Sequence, residues 1–213
     1  MSVRGIVFDY GGVLARWPEP SDFSPIAEEI GLTWEMYRNG FAKYRRAYDG
    51  GEISCHDMYA RIIADNSLSA DEGQLVRLVR ADDESWTHPN LDVLAWMREL
   101  KASGFKVGIL TNMEAGYFRN WFSRFFSEHV SIADAIVVSG IAGLTKPDAA
   151  IYRLMESRLG LAPQELVFMD DIPGNVAAAQ SLGWNAFQFS TCDAARIELA
   201  RILQQGGSDG QDL

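Results

Sequence analysis

Cysteine and histidine are scarce in this chain, with two and three copies among 213 residues. Cys55 and Cys192 lie far apart, and neither belongs to a CxxC pair or a Cys/His cluster, so no zinc site is indicated. Two separated thiols fit a reducing compartment, and the chain is expected to be cytoplasmic. Basic residues are also in short supply: 19 Lys and Arg stand against 29 Asp and Glu, a formal net charge of -10. Binding nucleic acid takes clustered Lys and Arg to neutralise phosphates, so the balance argues against such a partner. It leaves room for a local positive pocket and a small phosphorylated substrate. No apolar run reaches the length of a membrane span. The apolar stretch near the start is broken by Asp9, so neither a signal peptide nor a membrane anchor is expected. Internal repeats are absent as well.

What is present is an ordinary globular balance, 47% hydrophobic and 23% charged. That suits one α/β domain with an insert, or two small domains. The residues from Gly206 to Leu213 are glycine-rich and polar, and are expected to form a disordered tail.

The chain is organised around Arg4 to Leu14. Ile6, Val7 and Phe8 make an apolar run too short for a buried helix, which reads as a buried strand. It stops on Asp9, and Gly11 and Gly12 then permit a sharp turn and close backbone approach. A carboxylate at the carboxyl end of a buried strand sits where open α/β sheets bind ligands, although an Asp there also caps turns.

Between about residues 21 and 86 only helical patterns occur. Ser24-Pro25 reads as a helix start and Gly31 as a stop. Thr33 opens a helix towards Tyr48, broken at Asp49-Gly50-Gly51, and Ser54 opens the next, through Ile63. Ser69 with Glu72 reads as a capping box for a fourth, which carries Leu75, Leu78 and Val79 at helical spacing. Residues 16–86 are therefore expected to form a separate helical cap.

After Trp86 strands alternate with helices. Phe105 to Leu110 ends on Thr111-Asn112, Ala135 to Val138 follows, Leu166 to Met169 ends on Asp170-Asp171, and Trp184 to Phe189 comes last. An aromatic-rich helix spans Tyr117 to Phe126. This alternation predicts an α/β fold, a Rossmann-like parallel sheet with helices on both faces, built from residues 1–15 and 87–205. Right-handed crossovers then gather Asp9, Thr111, Asp170 and Asp171 at one sheet edge.

Converging carboxylates repel unless a cation lies among them, and hard oxygen donors favour magnesium. Asp9 and Asp171 are the expected carboxylate ligands, the Gly11 carbonyl a third, with Asp170 acting through water or from behind. Asp carboxylates are nucleophiles towards phosphorus. The transferring group needs positive charge and fixed donors: Lys146, the Thr111 hydroxyl, the Asn112 amide and the backbone amides around Gly11 and Gly12.

So arranged, the sequence resembles the haloacid dehalogenase superfamily in its phosphatase branch. The resemblance is carried by Phe8-Asp9-Tyr10-Gly11-Gly12-Val13-Leu14, Leu110-Thr111-Asn112, Lys146-Pro147-Asp148 and Asp170-Asp171-Ile172-Pro173-Gly174-Asn175, in that order on successive strand ends. It implies a mobile helical cap, magnesium, Asp9 as nucleophile and ligand, Asp171 as ligand, and Thr111, Asn112 and Lys146 as phosphate holders. The expected function is magnesium-dependent hydrolysis of small phosphorylated metabolites through an aspartyl-phosphate on Asp9.

One position departs from the family pattern. Family phosphatases usually carry a second Asp, as general acid and base, where this chain has Gly11. Such catalysis is typically worth ~10²–10⁴-fold. Acyl or anomeric phosphates need it least. Two alternatives follow. One is the metal-free dehalogenase branch, which usually has Tyr at that position and lacks the acidic pair of Asp170-Asp171. The other is a catalytically silent binding module. Elsewhere, His88 lies at the return from the cap, Arg38, Lys43, Arg45 and Arg46 make a basic cluster, and Trp17 is placed to wall the pocket.

Overall fold

The computed structural model describes residues 2–208. Five strands, β1 (Gly5–Phe8), β2 (Lys106–Thr111), β3 (Ala135–Val138), β4 (Leu166–Asp170) and β5 (Asn185–Gln188), form one sheet in the order β3-β2-β1-β4-β5. Every pairing is parallel. A parallel sheet is covered on both faces, which is why its central strands are continuous apolar runs. β1 and β4 are buried throughout.

Side-chain alternation divides the core in two. Ile6, Phe8, Val107, Ile109, Val167 and Met169 belong to one cluster, which the Leu91–Ala102 helix closes with Val93, Trp96 and Met97. Val7, Leu110, Leu166 and Phe168 belong to the other, closed by Ile151, Tyr152 and Met155 of the Ala149–Leu159 helix. Tyr152, Phe168 and Trp184 meet edge to face there, with ring centroids 5.8 to 6.1 Å apart.

From β1 the chain runs outward to β2 and β3, then returns past β1 to β4 and β5. The crevice at the carboxyl ends of β1 and β4 is thus the switch point where such sheets bind ligands. Phe8 is in register with Met169, so Asp9 and Asp170 follow in step on neighbouring strands.

All the segments between β1 and the Leu91–Ala102 helix that take regular form are helical: Pro20–Phe23, Ile26–Ile30, Trp34–Asp49, Cys55–Asp65 and Glu72–Ser85. Thr33 and Ser54 cap the third and fourth through the amides of Met36 and Asp57. A Cβ on Gly40 would fall 2.4 Å from Ile62 Cγ1, so this glycine lets the third and fourth helices cross closely.

Several local expectations shift. The Ser24-Pro25 start is preceded by a helical turn from Pro20. The capping box is Asp71 with Gln74 rather than Ser69 with Glu72, because Asp71 directly precedes the helix and its carboxylate accepts the Gln74 amide. The aromatic helix is broken by a π-helical turn at Phe118–Phe122, and Phe122 and Phe126 both meet the edge of Tyr10. The last helix runs Cys192–Ser208, so residues 206–208 of the expected tail are helical; 209–213 lie outside the described residues. Among the described residues no helix is long and apolar enough to cross a membrane.

Candidate active site

Asp9 extends β1 by one residue, its amide donating to the Met169 carbonyl at 3.0 Å. Its Oδ1 meets Lys146 Nζ at 2.6 Å, and the same ammonium donates to Asp170 Oδ2 at 2.6 Å. All three side chains are almost fully buried. Asp170 also accepts from the Ile172 amide (2.8 Å) and from Asn175 Nδ2 (2.9 and 3.1 Å), which engages both its oxygens. Asp171 stands apart in this respect. Its Oδ2 accepts from Trp17 Nε1 at 2.6 Å, whereas its Oδ1 is buried without a hydrogen-bond partner among the described residues. Asp9, Asp170 and Asp171 each offer a carboxylate oxygen within 4.8 Å of the others.

The electrostatics follow from this crowding. Burial, joined by repulsion from Asp170, pushes the Asp9 carboxyl up to about 8 against the pull of Lys146. Burial also raises Asp171, opposed by its bond from Trp17. Desolvation works against the Lys146 ammonium, yet Asp9 and Asp170 together hold it above the ordinary lysine value. Lys146 thus contacts two of the three carboxylates and leaves Asp171 to Trp17 and the charge of Arg45, and a buried carboxylate oxygen without a donor costs about 1–3 kcal/mol. The donor set is all oxygen, hard and anionic. Such a set fits a hard divalent cation, and Asp171 Oδ1 is the oxygen that most needs one.

The other anticipated residues take up distinct duties. The Thr111 hydroxyl, at the end of β2, is almost fully buried and makes no hydrogen bond among the described residues, so it is available to a ligand. Asn112 is engaged at both ends of its amide: Oδ1 accepts from the Lys146 amide at 2.8 Å and Nδ2 donates to the Lys146 carbonyl at 2.9 Å. Its side chain therefore holds the lysine segment in place, while the second Nδ2 hydrogen has no partner among the described residues and Asn112 lines the cavity at Asp9. The Gly12 amide donates to the Ala15 carbonyl at 2.8 Å and is committed within the turn. Gly12 matters sterically, since at φ +76° a Cβ there would fall 2.4 Å from Asp171 Oδ2.

The family model for haloacid dehalogenase-like hydrolases matches residues 3–183. The chain belongs to that family. A sesquiterpene phosphatase of Aspergillus oryzae is 25% identical over 94% of this chain and 96% of its own length. A phosphatase of Mycobacterium tuberculosis is 27% identical over 98% of this chain and 97% of itself. An (S)-2-haloacid dehalogenase of Pseudomonas fluorescens is 24% identical over 86% of this chain and 82% of its own. Among solved structures, a family enzyme of Bacteroides thetaiotaomicron in complex with magnesium and inorganic phosphate superposes with a TM-score of 0.59 at 17% identity. That pair covers 88% of this chain and 94% of the other, and it shows a shared fold.

At Gly11 the family's usual aspartate is replaced by a wall. A Cβ there would come 3.1 Å from Trp86 Cζ3, and Trp86 is held by the Tyr10 hydroxyl, which donates to its carbonyl. Trp86 and Trp17 pack with centroids 5.1 Å apart. Beside them a small cavity of about 40 Å³ opens on Asp9, lined by Phe41, Arg45, Tyr48, Asp49, Trp86 and Tyr117 among others. Of the basic cluster on the Trp34–Asp49 helix, Arg45 alone lines this cavity; Lys43 pairs with Asp65 and Arg46 with Asp148. The ring Nδ1 of His88 lies 3.0 Å from the Ser85 carbonyl, outside the cavity. Trp86 and Asp49 escaped the sequence reading. Each sits at the end of a helix and looks like a terminator, and only the docking of the helices onto the sheet brings them to Asp9.

Proposed function

We propose that this chain is a magnesium-dependent phosphatase of small phosphorylated metabolites, with Asp9 as its nucleophile. The observation that carries the reading is the partnerless Asp171 Oδ1, buried beside Asp9 and Asp170, while Lys146 pairs with only those other two carboxylates. Two phosphatases are similar to the chain over nearly their whole lengths. Residues 16–86 act as a cap over a core of residues 1–15 and 87–205, and its movement admits substrate and excludes water. The acidic balance and the two unpaired cysteines suit a cytoplasmic enzyme acting on small molecules rather than on nucleic acid.

In this mechanism an Asp9 carboxylate oxygen attacks phosphorus as the bond to the leaving oxygen breaks. Water then attacks the same phosphorus, breaks the bond to Asp9 and releases phosphate. Lys146 and the Thr111 hydroxyl steady the equatorial oxygens, while Asn112 fixes the Lys146 backbone. Asp9, Asp171 and the Gly11 carbonyl, with Asp170 behind, would hold a magnesium ion, which would supply positive charge to offset that on the transferring group.

A second reading, metal-free attack of Asp9 on a halogenated carbon, has the similar dehalogenase in its favour. The acidic pair Asp170-Asp171 weighs against it, because a reaction without a cation gains nothing from a third buried carboxylate. The test is phosphate release from a panel of alkyl, aryl, sugar and acyl phosphates, with magnesium or with EDTA. Release that needs magnesium and disappears in Asp9→Asn is the expected result. No release from any phosphate, or halide release from a 2-haloacid in EDTA, overturns it.

A further inference from the structure

The cavity beside Asp9 is lined by two carboxylates that the mechanism above leaves unused, Asp49 and Glu114, and Glu114 is committed to the Gly116 and Tyr117 amides. Asp49 is the last residue of the Trp34–Asp49 helix, is almost fully buried, and lines the same cavity as Asp9 and Gly11. Its position is fixed from the core side. The Asp49 carbonyl accepts from Ser139 Oγ at 2.5 Å, and the same Oγ accepts from the Met113 amide at 2.7 Å. The helix end is thereby tied to the residues that follow β2 and β3. Gly51 continues this fit, as a Cβ there would lie 3.8 Å from Gly140.

The two carboxylate oxygens of Asp49 differ. Oδ2 accepts from Arg45 Nε at 3.0 Å, whereas Oδ1 makes no hydrogen bond among the described residues. Gly11 meanwhile offers no acid, and a side chain starting there would press on Trp86, 3.1 Å from its Cζ3. Resting on the phosphatase reading of the site, we propose that Asp49 is the acid and base of the reaction, a catalytic residue brought in by the inserted helix in place of the side chain that Gly11 lacks.

In the first step the Asp49 carboxyl gives its proton to the leaving oxygen while the phosphorus–oxygen bond breaks and the bond to Asp9 forms. In the second, the Asp49 carboxylate takes a proton from the water whose oxygen attacks phosphorus. Asp9 leaves as a carboxylate and Asp49 is protonated again. The charged groups around Asp49 are Arg45 on its own helix, Lys146 behind the site, Asp82 on the Glu72–Ser85 helix, and Asp9 and Glu114 across the cavity. Burial pushes Asp49 up to about 6 against the pull of Arg45 and Lys146, which keeps a proton available near neutrality.

The experiment compares kcat/KM for the parent and Asp49→Asn, with magnesium, on p-nitrophenyl phosphate and on a simple alkyl phosphate. This ratio reports the transfer to Asp9. The nitrophenolate leaves without a proton, whereas the alkoxide needs one. The expected result is a fall of about 10²-fold or more on the alkyl phosphate, with the aryl phosphate within a few-fold of the parent. Retained aryl turnover also reports that the variant is folded. An equal loss on both substrates, or no loss on the alkyl phosphate, overturns the proposal. The parent gives a test that needs no variant: above pH ~6 its alkyl kcat/KM falls while its aryl kcat/KM holds, and parallel profiles overturn the proposal. A parent inactive on both phosphates, with magnesium present, overturns the phosphatase reading itself.

Discussion

Replacing Gly12 by alanine tests how closely the turn after Asp9 is fitted to Asp171. Two costs are separable. The first is conformational: Gly12 sits at φ +76°, a left-handed backbone that costs an L-residue roughly 1–2 kcal/mol. The second is crowding. The new Cβ would lie 2.4 Å from Asp171 Oδ2 and 2.7 Å from Trp17 Nε1, the two ends of one 2.6 Å hydrogen bond. One partner must withdraw, and a hydrogen bond to a charged group is worth about 1.5–3 kcal/mol. The sum is about 2.5–5 kcal/mol, which for a domain of this size lowers Tm by about 5–20 °C. Gly143→Ala is the matched control, because Gly143 has φ +65° with nothing within 4 Å of the added Cβ. It should show the conformational cost alone, about 2–8 °C. Thermal unfolding followed by circular dichroism, with and without magnesium, reads both effects. Gly12→Ala should also change the stabilisation that magnesium gives the parent, since withdrawal of either partner alters the setting of the Asp171 carboxylate. Equal Tm losses in the two variants, with a parental magnesium response in both, refute the reasoning.

Lys146→Met leaves Asp9 and Asp170 buried without their shared cation; a loss of about 3–5 kcal/mol is expected, partly restored by magnesium, and a variant as stable as the parent in EDTA contradicts it. Asn112→Ala removes both hydrogen bonds that hold the Lys146 backbone; kcat/KM should drop while calorimetric magnesium affinity stays within a few-fold, and unchanged kinetics would count against the positioning role. His129 is buried with neither ring nitrogen partnered among the described residues, and burial pushes it down to about 4. An unfolded histidine titrates near 6.5, so the folded chain resists a proton that the unfolded chain accepts. Stability is therefore full above pH ~6.5 and falls towards pH 4, by about 1–2 kcal/mol at pH 5. His129→Leu should flatten that decline in Tm between pH 8 and pH 5, and an unaltered slope would show that another group causes it.

The sheet was legible because its strands are short apolar runs that end on polar residues, and Asp9, Thr111 and Asp170 mark those ends directly. Parallel pairing then leaves few ways to arrange them, so the carboxylate cluster followed from topology. Local pattern says less about division of labour. Asp170 and Asp171 are identical neighbours in sequence, and only the structure shows the first saturated by Lys146, Ile172 and Asn175 and the second left with a bare oxygen. Asn112 likewise reads only as a donor for ligand, and its clasp on the Lys146 backbone becomes visible only in the structure. Trp86 and Asp49 depend on contacts between segments far apart in the chain, which neither periodicity nor capping signals encode. The π-helical turn at Phe118–Phe122 is of the same kind, set by packing around Tyr10.

Quenching the enzyme in acid during turnover of p-nitrophenyl phosphate, then weighing its peptides by mass spectrometry, asks directly whether Asp9 is the nucleophile. The peptide containing Asp9 should be heavier by one phosphoryl group when magnesium is present and unmodified in EDTA. A phosphoryl group found on any other residue, or turnover with Asp9 never modified, would contradict covalent catalysis at the end of β1.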